Sequence, residues 1–139
     1  MRKKAILCVD DESIILDSLT EQLEKHFGSN YIYESAENAD EGLEIIKELI
    51  EDKIEILIIV SDWLMPGMKG DEFLIKVHEK HPGIGKVLLT GQARQESINK
   101  AAEEAELYAV LNKPWLKEEL IDIINRILIK NETGNNMRG

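Results

Sequence analysis

Four apolar runs in this chain each end on side chains suited to metal or phosphorus chemistry. "ILCVDDE" delivers Asp10 and Asp11 with Glu12 behind them, and "ILIIVSD" delivers Asp62. "VLLTG" delivers Thr90 and Gly91, and "LNKP" delivers Lys113 and Pro114. Three carboxylates suit Mg²⁺, a hard ion that takes oxygen ligands and keeps several waters. An aspartate can also attack phosphorus and form an acyl phosphate. That attack on an anion is repelled unless a metal ion and a lysine offset the charge. A threonine hydroxyl can donate to a phosphoryl oxygen, and a glycine lets a backbone amide come close. These residue types form the inventory of a magnesium-dependent phosphoryl-transfer site.

Singly, each residue has a blander reading. Asp62 precedes a Met-Pro-Gly turn and would serve it, and Asp10 and Asp11 would suit a helix N-terminus. Thr90 would be a β-branched strand residue and Lys113 a solvated charge. What separates the readings is whether the fold brings the residues together. Short apolar runs at 5–9, 31–35, 56–60, 86–90 and 108–111 alternate with helical patterns at 13–27, 38–50, 71–80, 95–104 and 116–129. Ile15, Leu19 and Leu23 mark one helical stripe, with Ser13 as its expected cap. The run 56–60 is apolar throughout and suits a central strand covered on both faces, whereas 31–35 alternates and suits an edge.

Strict strand–helix alternation gives an α/β fold: a doubly wound, five-stranded parallel sheet joined by right-handed crossovers. Open sheets of this kind bind ligands outside the carboxyl ends of their strands. All the residues singled out fall there.

The bulk composition is consistent with one domain. A chain of 139 residues, 43% hydrophobic and 32% charged, buries roughly 68–70% of its unfolded surface without a staple. No apolar run reaches the length of a membrane span, the start carries no signal-peptide pattern, and the single Cys8 suits a reducing compartment, so a cytoplasmic location is expected. A formal charge of −10 argues against nucleic acid or anionic membrane as partner. The domain is expected over residues 1–130, with 131–139 a disordered tail or the start of a linker.

"ILCVDDE", "SDWLMPGMKG", "VLLTGQA" and "LNKPW", in order and at family-like spacing, resemble the receiver domain of two-component response regulators, close to the chemotaxis-regulator type. The resemblance implies a flavodoxin-like (βα)5 fold with sheet order 2-1-3-4-5. It implies that Asp62 is the phosphoacceptor for a sensor histidine kinase or phosphotransfer protein of a phosphorelay. Asp10, Asp11, Asp62 and the backbone carbonyl of Leu64 would hold Mg²⁺. Thr90, Gly91 and Lys113 would contact the phosphoryl group, and the Lys113–Pro114 bond would be cis. A downstream protein, or a second copy in a homodimer, would meet the face of the fourth helix, fifth strand and last helix.

One position departs from the pattern. The switch aromatic of relatives lies three residues before the lysine, which here is Val110, and Tyr108 stands two residues earlier. Either Tyr108 or Val110 is therefore the output candidate. Leu64 and Gln92 occupy positions that tune hydrolysis of the acyl phosphate in relatives. Leu64 offers no polar group to hold a water, so slow self-dephosphorylation is expected. Two other classes compete with a signalling switch. A phosphohydrolase or phosphotransferase with an aspartyl-phosphate intermediate would usually carry a second acid where Leu64 stands. A phosphorylation-independent binding module would have no use for the intact acids, Thr90 and Lys113.

Overall fold

The structure is a computed structural model that describes residues 2–91 and 94–138, with side chains through residue 131. Gln92 therefore lies outside the described residues. Five strands, β1 (Lys4–Val9), β2 (Ile32–Ala36), β3 (Glu55–Asp62), β4 (Gly85–Thr90) and β5 (Ala109–Asn112), form one parallel sheet in the order β2-β1-β3-β4-β5. The connecting helices are α1 (Ser13–Phe27), α2 (Ala39–Glu51), α3 (Gly70–Lys80) and α4 (Gln95–Glu104), with α5 (Lys117–Arg138) last. This is the expected flavodoxin-like order.

Alternation along the strands explains the two layers. Successive side chains point to opposite faces, so Ile6, Cys8, Ile58, Val60, Val87 and Leu89 meet α1 and α5. Leu7, Val9, Ile59 and Leu88 meet α2 and α3, with Ala105 after α4 closing the same layer. Residues 56–60 of β3 are buried throughout, as a strand covered on both faces requires.

Two local details differ from the sequence reading. Ser13 is not a cap: Glu12 occupies the N-cap of α1, without a side-chain bond, and Ser13 is the first helical residue. The reason lies two residues before Glu12, where Asp10 Oδ1 accepts the amide of Glu12 at 2.9 Å and sets the entry of the chain. By contrast Asn38 does cap α2, its side chain accepting the amide of Glu41 at 2.8 Å. At the other end, α5 runs through Arg138, whereas the last helical pattern in the sequence covers 116–129.

Candidate functional site

β3 does not stop at its apolar run; it continues through Ser61 and Asp62, so the aspartate is the last residue of the central strand. Its amide-side neighbours are fixed by pairing with β4, where Asp62 stands opposite Leu89. The loop that follows folds back at once. The amide of Gly70 donates to the carbonyl of Trp63 at 2.8 Å, and a Cβ at Gly70 would run into the backbone carbonyl of Asp62. Only glycine lets α3 start this close to the strand end. The close approach is a distance between backbones and leaves no mark in the sequence.

Asp10 directly follows the neighbouring strand β1 and is fully buried, its own amide held by the carbonyl of Ala36 at 3.0 Å. Asp11 is exposed, while Asp62 and Thr90 are each only 4% exposed. Lys113 arrives from the end of β5, tied by its amide to the carbonyl of Thr90 at 2.9 Å. Its Nζ lies 2.8 Å from Asp10 Oδ2 and 3.1 Å from Asp62 Oδ1. Both contacts are ion pairs. The Lys113–Pro114 peptide is cis.

Electrostatics follow from this crowding. Burial pushes the Asp62 carboxyl up to about 6; the hydrogen bond from Lys113 opposes the rise, and the charges of Asp10 and Asp11 add to it. For Lys113, burial disfavours the charge, but the partners Asp10 and Asp62 outweigh it and the pKa is raised. The ammonium therefore stays charged between two carboxylates. One lysine cannot neutralise three acids, so the cluster carries residual negative charge that a divalent cation would offset.

The donor set fits Mg²⁺. Carboxylate oxygens of Asp10, Asp11 and Asp62 all lie within 4.8 Å of one another, the all-oxygen chemistry such an ion demands. Asp11, Asp62, Leu64, Thr90, Gly91 and Lys113 line a single cleft at the strand ends. Glu12, behind Asp11 at the same strand end, completes its walls together with Met65 and Pro66. Leu64 is half exposed at its rim.

Tyr108 and Val110 stand elsewhere. Val110 pairs with Leu88 and packs partly buried against the α2–α3 layer. The amide of Tyr108 bonds the carbonyl of Lys86, near the start of β4, whereas Thr90 ends that strand. The four residues from Lys86 to Thr90 span about 13 Å, so Tyr108 does not touch the cleft. Its ring lies on the outer face beneath Lys130 Nζ, 5.8 Å from the ring centre.

The sequence profile of the response regulator receiver domain matches residues 6–125. Chemotaxis protein CheY-3 of Vibrio cholerae is 31% identical over 128 residues, covering 88% of this chain and 92% of that protein. The hydrogenase transcriptional regulatory protein HoxA of Cupriavidus necator is 30% identical over 125 residues, covering 90% of this chain; the chain spans only 24% of HoxA. Among solved structures, a CheY-like receiver domain protein from Methanospirillum hungatei matches with TM-score 0.80 and 33% identity over 95% of this chain and 98% of that one. The signal receiver domain of an HD domain-containing protein from Pseudomonas fluorescens matches with TM-score 0.83 and 29% identity, covering 95% of this chain and 99% of the other. A profile match over most of the chain, together with a shared fold and strand order, means that the chain belongs to the response regulator receiver domain family.

Proposed function

We propose that Asp62 accepts a phosphoryl group from a histidine kinase or phosphotransfer protein and that the aspartyl phosphate switches partner binding. The observation that carries this reading is the Lys113 ammonium set between Asp10 and Asp62 in a cleft open to solvent. An Asp62 oxygen attacks phosphorus, the P–N bond to the donor imidazole breaks, and its electron pair stays on that nitrogen. Asp10, Asp11, Asp62 and the Leu64 carbonyl would hold Mg²⁺, which when bound offsets the charge of the incoming phosphoryl oxygens. Lys113 then exchanges its Asp62 contact for a phosphoryl oxygen. The Thr90 hydroxyl and the Gly91 amide lie on the same cleft wall and would donate to the remaining oxygens.

The phosphodonor needs a footing beside this cleft. Ile14 and Leu116 are 74% and 65% exposed, and Ile15 and Trp115 line a hollow that reaches Lys113. Apolar residues this exposed around a reactive rim mark a protein contact. Downstream binding is assigned to the face of α4, β5 and α5, where Tyr108 and Ile129 are exposed. The same face would serve a homodimer. We assign the signalling body to residues 1–130 and place it in the cytoplasm; no helix among the described residues is long and apolar enough to cross a membrane. The output residue is Tyr108 or Val110. With Leu64 at the rim, self-dephosphorylation is slow. Labelling from a radioactive small-molecule phosphodonor with Mg²⁺ tests the reading: the label should be lost to hydroxylamine, as an acyl phosphate requires. A hydroxylamine-stable label would mean another acceptor.

A further inference from the structure

Six large apolar side chains are exposed among the described residues: Ile14, Ile50, Leu64, Tyr108, Leu116 and Ile129. Five belong to the cleft rim and its donor footing or to the face of β5 and α5. Ile50 stands apart, near the C-terminal end of α2. It heads an open groove between α2 and α3, floored by Leu43, Ile46 and Val77. Past Ile50 and His81 the apolar strip continues into a second hollow that includes Ile54 and Ile84.

The charge along this groove is uneven. The α3 wall contributes Lys76 and Lys80, one turn apart, and His81 at the helix end, with no acid among its lining residues. The α2 wall is mixed, with Lys47 between Glu44 and Glu51. Lys80 and His81 also suit the negative end of the α3 dipole. That does not account for Lys76, or for a one-sided cationic rim on a chain of net charge −10.

We infer that the groove between α2 and α3 docks an amphipathic helix of a partner protein, one with an apolar stripe and an acidic flank turned toward Lys76 and Lys80. Leu43, Ile46 and Ile50 follow the i, i+3, i+7 spacing of one helical face. They span two turns, about 10 Å, which matches the anchor spacing of a helix laid in a groove. A helix is favoured over a small ligand because Lys76 and Lys80 stand one turn apart, the spacing of two acids on a helix flank. A second copy of the chain would bring like net charge to the contact. The docking site is separate from the phosphoacceptor cleft and does not depend on Asp62 chemistry.

The test uses the full chain, isotope-labelled for NMR, and two synthetic helical peptides with the same leucine stripe. One peptide carries a glutamate flank and the other a lysine flank. Shifts should map to residues 43–50 and 76–81, and the glutamate peptide should bind about tenfold tighter than the lysine peptide, the scale of a few rim ion pairs. Lys76→Glu/Lys80→Glu should reverse that preference. Ile50→Glu should abolish binding of both, while labelling of Asp62 and the melting curve stay unchanged. Equal binding of the two peptides, shifts that map elsewhere, or no binding would each overturn the inference. So would displacement of the peptide by a simple fatty acid, or a dimer in sedimentation that Ile50→Glu dissolves.

Discussion

Gly70→Ala is the sharpest mechanical test of how the fold holds Asp62. A Cβ at residue 70 would overlap the carbonyl oxygen of Asp62 and lie 2.8 Å and 2.9 Å from Asp62 C and Trp63 Cα. Carbon atoms settle at about 3.5 Å or more. Those two carbons alone therefore demand a retreat of at least about 0.7 Å, and the oxygen raises it to the order of 1 Å. The neighbours are backbone, so no side chain can yield. Either α3 withdraws and stretches the 2.8 Å bond from the Gly70 amide to Trp63, or the end of β3 moves. Overpacking of this kind costs about 1–3 kcal/mol, which lowers Tm by roughly 4–12 °C for a domain of this size. A displacement on the order of 1 Å at a reacting group can slow the reaction by about 100-fold.

Gly67→Ala is the control. Gly67 has φ +80°, with nothing within 4 Å of an added Cβ, so the change costs about 1 kcal/mol of backbone strain without pushing on Asp62. Thermal melts and initial labelling rates from acetyl phosphate read both variants. The reasoning fails if Gly70→Ala labels at the wild-type rate, or if Gly67→Ala slows labelling as much as Gly70→Ala does.

Three further outcomes follow from the site. Asp62→Asn should be more stable than wild type at pH 7 without Mg²⁺, because the folded state raises the Asp62 carboxyl from 3.8 to about 6 and so resists its ionisation. Between those values the folded chain binds more protons than the unfolded one, wild-type stability falls as pH rises, and the gap between the two melting curves should close toward pH 4. Lys113→Ala should tighten Mg²⁺ binding by about tenfold or more in a calorimetric titration, since it removes a cation about 3 Å from two of the acids. The same variant should label more slowly. Leu64→Asn should shorten the lifetime of the aspartyl phosphate by about tenfold, less than the roughly 100-fold or more of a full general base because an amide only orients the water; an unchanged decay of the label would remove Leu64 from the account.

The fold was legible because its signals were redundant. A five-residue run apolar throughout, set between helical patterns, suits a strand covered on both faces, and β3 is that strand. Convergence of Asp10, Asp62, Thr90 and Lys113 followed from strand ends alone. Short-range geometry was not legible. Ser13 looked like a cap because capping residues are common there, yet the Asp10 carboxylate takes the amide of Glu12 and shifts the start. Lys86, at the start of the run 86–90, is only 2% exposed, its ammonium donating to the carbonyl of Ile84 at 2.6 Å. Burial lowers its pKa. Gly70 and the cationic rim at Lys76 and Lys80 depend on which backbones and helices lie side by side. No periodicity in one chain segment encodes that.

The central claim is that Asp62 is the phosphoacceptor and needs Mg²⁺ held by its neighbours. Intact-mass analysis after incubation with acetyl phosphate decides it, run on wild type with Mg²⁺, wild type with EDTA, and Asp62→Asn with Mg²⁺. The account expects a single phosphoryl adduct in the first sample and none in the other two. An adduct that persists in Asp62→Asn or in EDTA would contradict it, as would an unmodified wild type that also fails to take label from a phosphorylated histidine kinase.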